Sequence, residues 1–126
     1  MDIRSTLIEL CDAFNAHDLD RIMSYFSEDC VLEMPRGSQA CGSRYEGKAA
    51  AMRAFTGRFE GLPDVHYGDE EHFVDEAAQT GMSKWRLTGT TREGERKDVQ
   101  GCDFYTFRNG KVTRKDSYWK IVERGS

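Results

Sequence analysis

The chain is 126 residues long, enough for one domain with a real core and too short for a second of similar size. It carries 22 acidic residues against 18 Lys and Arg, a formal net charge of -4, with the signs interspersed and no basic run. That balance argues against a nucleic-acid partner and against a membrane surface, and no apolar segment reaches membrane-spanning length.

The cysteines, Cys11, Cys30, Cys41 and Cys102, are irregularly spaced and form no C-x-x-C pair. They read as reduced thiols of a cytoplasmic protein rather than as a disulfide framework or a zinc site. The three histidines lack metal-ligand spacing, so no metal is expected. The first residues, Met1 to Ser5, have neither the charged start nor the apolar run of a secretory signal.

Ile3, Leu7, Leu10 and Phe14 recur on one helical face, with Cys11 beside them. Asn15-Ala16-His17-Asp18 interrupts the pattern, and Asp18 is placed to cap a second helix whose stripe is Leu19, Ile22, Met23 and Phe26. Cys30 to Pro35 predicts a short strand, with Leu32 and Met34 on one face and Val31 and Glu33 on the other. Arg36 to Arg44 predicts a loop, and Lys48 to about Glu60 a third helix striped by Met52, Phe55 and Phe59 and ended by Gly61-Leu62-Pro63.

From Val65 onward the chain reads as strands and turns. The first strand runs to about Asp75, and its acidic run Asp69-Glu70-Glu71 predicts a solvated face or a bulge. Gly81 to Thr91 follows, with Ser83, Trp85 and Leu87 opposite Lys84, Arg86 and Thr88. Lys97 to Arg108 is joined to a last strand, Lys111 to about Val122, by Asn109-Gly110, the strongest short hairpin signal. Alternation puts Gly101, Asp103, Tyr105 and Phe107 on one face and Cys102, Phe104 and Thr106 on the other. Aromatics on both faces predict cover on both. On the last strand it groups Thr113, Lys115, Ser117 and Trp119 against Val112, Arg114, Asp116 and Tyr118.

Three helices followed by an antiparallel meander give an α+β layout in one domain, residues 1–126, with one sheet face packed by the helices. The other face keeps Cys102, Phe104 and Tyr118, which predicts a homodimer through it.

The segments Phe14–Asp20, Glu28–Val31, Trp85–Thr90, Gly101–Asp103, Phe107–Val112 and Lys115–Trp119 together resemble the nuclear transport factor 2-like superfamily, in its SnoaL-like and ketosteroid isomerase-like branch. The resemblance implies a cone-shaped curved antiparallel sheet wrapped around the three N-terminal helices and enclosing an apolar cavity. It implies a small apolar, polyketide-like or steroid-like ligand and no cofactor. Isomerase-type enzymes of this branch keep a protonated aspartic acid on the penultimate strand, and that position falls on Asp103. Their general-base position falls on Met34, their oxyanion tyrosine on Leu10 and a supporting aromatic on Phe55, so steroid isomerisation by the usual residues is not implied. Limonene-epoxide-hydrolase-like chemistry fits no better, because its last-strand acid falls near Ser117, with Asp116 one residue off. SnoaL-like polyketide cyclases ask for one acid–base aspartate on a late strand, and Asp103 is the nearest match.

Asp103, Tyr105 and Lys115 are therefore the candidate catalytic residues. Phe14, Met34, Phe55, Phe59, Trp85, Ser117 and Trp119 are the candidate binding residues. Burial among aromatics suits Asp103 to exchange a proton beside a carbonyl. Lys115, on the same face of the neighbouring strand, leaves open the alternative of an inert ion pair in a protein that only binds its ligand.

Overall fold

Asp2 starts the first helix, α1 (Ile3–Asn15), by accepting a hydrogen bond from the Ser5 amide at 2.7 Å. The computed structural model describes residues 2–123. The predicted stripe is the buried face of α1, with Ile3, Leu7, Leu10, Cys11 and Phe14 all inside. Asp18 caps α2 (Leu19–Ser24) through the Arg21 amide. The interrupting residues are structural. The Asn15 side-chain amide donates to the Tyr67 carbonyl at 3.0 Å and accepts from the Tyr67 amide at 2.8 Å, as a strand neighbour would. His17 Nε2 lies 2.9 Å from the Val65 carbonyl oxygen.

Strand β1 (Phe26–Glu33) begins four residues before the predicted Cys30, and Phe26 belongs to it rather than to the second helix. The Val112 amide donates to the Tyr25 carbonyl at 2.8 Å, and this bond to the last strand draws the chain out of the helix. The loop after β1 starts earlier than predicted, at Met34, and ends at Ser43, because Arg44–Glu46 forms β2 against β1. Gly42 makes that return possible: at φ +77° a Cβ would sit 1.9 Å from the Met34 carbonyl oxygen. Helix α3 (Lys48–Gly61) then buries Ala51 and Phe55, with Met52 and Phe59 partly covered.

Strands β3 (His66–Asp75), β4 (Thr80–Thr90), β5 (Arg96–Arg108) and β6 (Lys111–Trp119) complete a six-stranded sheet ordered β2-β1-β6-β5-β4-β3. The sheet is mixed rather than wholly antiparallel, since β1 runs parallel to β6. A parallel neighbour needs a long crossover, and β2, α3 and β3–β5 supply it. The acidic run of β3 is a bulge, with Asp69 at φ +51° and the register shifting between Gly68 and Glu71. A second bulge lies between Phe107↔Val112 and Thr106↔Arg114. It turns Val112 into the core and leaves Thr113 partly buried, correcting the strict alternation, while Lys115 and Ser117 stay inward.

The helices and the inner sheet face enclose one large apolar cluster, from Ile3 and Leu7 through Phe26, Leu32 and Phe55 to Tyr105, Phe107 and Val112. A smaller one holds Leu62, Val65, Trp85 and Leu87. The outer face is not covered as the aromatics of β5 suggested: Phe104 is 43%, Phe73 51% and Tyr118 59% exposed. At its far edge Glu33, only 3% exposed, is held by the guanidinium groups of Arg114 and Arg44.

Candidate active site

Three neighbouring strands present the site as a grid. The register aligns Trp85, Gly101 and Trp119 in one row, Ser83, Asp103 and Ser117 in the next, and Gly81, Tyr105 and Lys115 in the third. Gly101 is an enabling gap: a Cβ there would lie 2.5 Å from the Tyr118 carbonyl oxygen and 2.6 Å from the Trp85 ring.

Asp103 is 5% exposed and its carboxylate is fully engaged. Oδ2 accepts from Trp85 Nε1 at 2.9 Å and from the Tyr105 hydroxyl at a longer 3.4 Å. Oδ1 accepts from Ser117 Oγ at 2.6 Å and lies 3.1 Å from Lys115 Nζ. These partners fill the roughly four lone-pair sites of an ionised carboxylate. Lys115, 9% exposed, also donates to Ser117 Oγ at 2.9 Å. Its ammonium lies 5.5 Å from the Phe14 ring centroid and 5.7 Å from that of Phe55. Asp103 and Lys115 thus form a buried ion pair, and the inward member of the last strand is Lys115 rather than Asp116.

The pair forms part of the wall of a crevice lined also by Phe14, Met34, Phe55, Trp85, Ser117 and Trp119, all predicted, together with Pro35, Arg58 and Tyr67. The crevice leaves about 20 Å³ of free space, room for about one water rather than the roomy cavity the resemblance implied. A smaller hollow of about 10 Å³ adjoins it, with Tyr105, Ser83, Cys11 and Leu7 among its walls. Phe59 lines neither; it stacks on His17 with ring centroids 4.3 Å apart.

Tyr67, Arg58, Ser83 and His72 belong to this region and were not singled out from the sequence. Arg58 follows Phe55 by three residues on one helical face, a signal that was legible. Ser83 shares its predicted face with Trp85, while the β3 bulge hid Tyr67 and His72. The bulge lets Tyr67, Glu70 and His72 turn the same way, so that His72 Nδ1 meets Ser83 Oγ at 2.8 Å and its Nε2 lies 3.7 Å from Glu70. Burial pushes the Tyr105 hydroxyl well above its ordinary range, and the charge of Asp103 adds to it. Burial likewise raises the Tyr67 hydroxyl, against a lowering by the positive charge of Arg58. The Cys11 thiol is raised by burial first and then by Glu70. Both phenols are therefore hydrogen-bond donors at neutral pH.

Among the described residues no group of three or more His, Cys, Asp or Glu side chains is arranged to hold a metal ion, and no helix is long and apolar enough to cross a membrane.

Several solved structures share this architecture. A candidate polyketide cyclase from Pseudomonas putida is 19% identical, with 96% of this chain and 93% of that one covered and a TM-score of 0.82. A candidate isomerase from Bacillus subtilis is also 19% identical, with 92% and 84% covered and a TM-score of 0.78. A protein of unknown function with a cystatin-like fold, from Xanthomonas campestris, is 14% identical, with 96% and 92% covered and a TM-score of 0.83. Such identities speak for the fold alone. No curated protein matches the chain. The family model of the SnoaL-like domain matches residues 7–115, from the middle of α1 to the site lysine. By that match, over most of its length, the chain belongs to the SnoaL-like domain family.

Proposed function

We propose that this protein takes a small hydrophobic carbonyl compound into the aromatic crevice and moves a proton beside the carbonyl, using side chains alone. The observation that carries the reading is the buried carboxylate–ammonium pair of Asp103 and Lys115 in the crevice wall. Lys115 spends two of its donors on Asp103 and Ser117. A third N–H is free to polarise a carbonyl oxygen and to stabilise the enolate that forms. The proton leaving the adjacent carbon goes to Asp103 Oδ2, where the long Tyr105 contact is the one that yields. The enolate then attacks an electrophile within the same molecule, as in a cyclase, or is reprotonated at another carbon, as in an isomerase. The names of the structures from Pseudomonas putida and Bacillus subtilis fit either outcome.

The test is proton exchange at the acidic carbon of 2-tetralone in deuterated buffer, followed by proton NMR. The wild-type protein should accelerate the exchange, and Asp103→Asn should abolish that acceleration while 2-tetralone still binds. Exchange that survives Asp103→Asn would refute the assignment of Asp103.

A second reading, binding without turnover, is favoured by the full occupation of the Asp103 acceptors and the small free volume of the crevice. It predicts that 2-tetralone binds and does not exchange. In either reading we propose that the chain is cytoplasmic, forms one domain and pairs with a second copy through the outer sheet face around Phe73, Phe104 and Tyr118. A monomer mass by light scattering at working concentration would remove the dimer.

A further inference from the structure

Five of the eleven arginines among the described residues are matched to an acid. Arg44, Arg86, Arg96, Arg108 and Arg114 each have a carboxylate oxygen within 4 Å. The other six have none within that distance among the described residues, and of these Arg58 lies in the crevice wall with Arg36 beside it. Both stand at Trp119. The guanidinium carbon of Arg58 lies 4.8 Å from the ring centroid and that of Arg36 5.9 Å. Arg58 is half-buried and forms part of the crevice wall, while Arg36 is exposed at its rim. The charge of Arg58 reaches the buried Tyr67 hydroxyl, so its field points into the crevice and not only into solvent.

The charges of the crevice therefore do not cancel. Lys115 is balanced by Asp103, which leaves Arg58 in excess in the wall and Arg36 beside it. In a chain of net charge -4 this is a local positive spot, and low-dielectric walls focus such a field. A partly desolvated guanidinium without an acid is costly. An anion in the crevice would relieve that cost, and a carboxylate can take two parallel N–H bonds from the planar fork. The other walls, Phe14, Phe55, Trp85 and Trp119, suit a flat apolar body.

We propose, on the reading that the crevice is a ligand site, that its natural ligand is an aromatic or fused-ring acid whose carboxylate is held by Arg58, with Arg36 strengthening the field at the entrance. The guest enters by parting Arg58 from Trp119, a surface-side cation–π contact of modest strength. The carboxylate stays at the mouth, and the ring system reaches inward toward Lys115.

The test compares two probes with the same body, 2-naphthoate and 2-naphthalenemethanol, by isothermal titration calorimetry. The wild-type protein should bind the acid at least about tenfold more tightly than the alcohol, the size of one charge-assisted contact. That advantage should shrink between 50 and 500 mM salt. Arg58→Gln should remove the preference by weakening the acid alone, with the alcohol affinity unchanged. Arg58→Lys, which keeps the charge and loses the fork, should retain part of it. Equal wild-type affinity for the two probes would overturn the anion assignment and leave the pocket reading standing. Equal weakening of both by Arg58→Gln would do the same, by showing that Arg58 only shapes the wall. Binding of neither probe at millimolar concentration would overturn both readings together.

Discussion

Removing one member of the Asp103–Lys115 pair should cost more than its neutral hydrogen bonds suggest, and removing the second should then cost almost nothing further. The two residues are 5% and 9% exposed, with 3.1 Å between Oδ1 and Nζ. Lys115→Met leaves a buried carboxylate held by Trp85, Ser117 and the more distant Tyr105. Orphaning one charge of a buried pair costs about 3–5 kcal/mol, and the surviving donors place this case near 3 kcal/mol. Asp103→Asn leaves the ammonium with Ser117 and the faces of Phe14 and Phe55, at about 2 kcal/mol. The double variant holds no buried charge and should also lose about 2 kcal/mol, which makes the coupling roughly 3 kcal/mol. Urea unfolding followed by tryptophan fluorescence reads this well, because Trp85 bonds to Asp103 itself. With a slope of about 2 kcal/mol per molar, Lys115→Met should lower the midpoint by roughly 1.5 M. Single losses below about 1 kcal/mol that simply add in the double variant would refute a desolvated pair.

Gly101→Ala should destabilise by about 2–3 kcal/mol in the same assay, since the new methyl meets a backbone carbonyl and two tryptophans; an unchanged midpoint would show that the strands part easily. Stability should fall in alkali: unfolded Tyr and Cys lose protons near their ordinary 10.0 and 9.0, while burial holds those of Tyr67, Tyr105 and Cys11 in the fold. The unfolded chain then binds fewer protons, so the contribution is complete below about pH 9. It is lost at up to about 1.4 kcal/mol per pH unit per group above, and midpoints that stay flat from pH 8 to 11 would contradict it. Thiol labelling of the native protein should reach Cys41 first and the buried Cys11 and Cys30 only as fast as the chain unfolds. Asn15→Ala should lower stability by about 1–3 kcal/mol through the two Tyr67 backbone groups it strands, measured by the urea midpoint.

The site was legible where the strands are regular. Along β4 and β5 the period of two holds without interruption, so Trp85, Asp103 and Tyr105 could be put on the inner face from residue order alone. Near the bulges the same rule breaks down. The acidic run pointed to a bulge at Asp69 but not to the inward turn it gives Glu70 and His72, and an extra residue at Thr113 reversed the expected direction of Val112. Lys115 stayed on the predicted side because it lies beyond the irregularity. The parallel pairing of β1 with β6 had no local signature, since a strand's residues record which face is buried and not which way its neighbour runs. Phe26 continued the helical spacing of Ile22 and Met23, and its place in β1 rests on pairing with Val112, far away in the chain. The size of the crevice could not be read either: the sequence supplied aromatic walls but not how closely they meet.

The clasp of Asn15 on Tyr67 has a bearing on how copies of this chain can meet. β3 is a margin of the sheet, and two of its main-chain groups are already taken by that side chain, just before the kink at Asp69. The opposite margin, β2, is only three residues long and bears Arg44 and Glu46. Neither border offers a long straight template for another molecule's strand. Uncontrolled fibre-like growth by border-to-border addition is thereby discouraged, and association between copies is steered toward contacts of side chains on a broad surface.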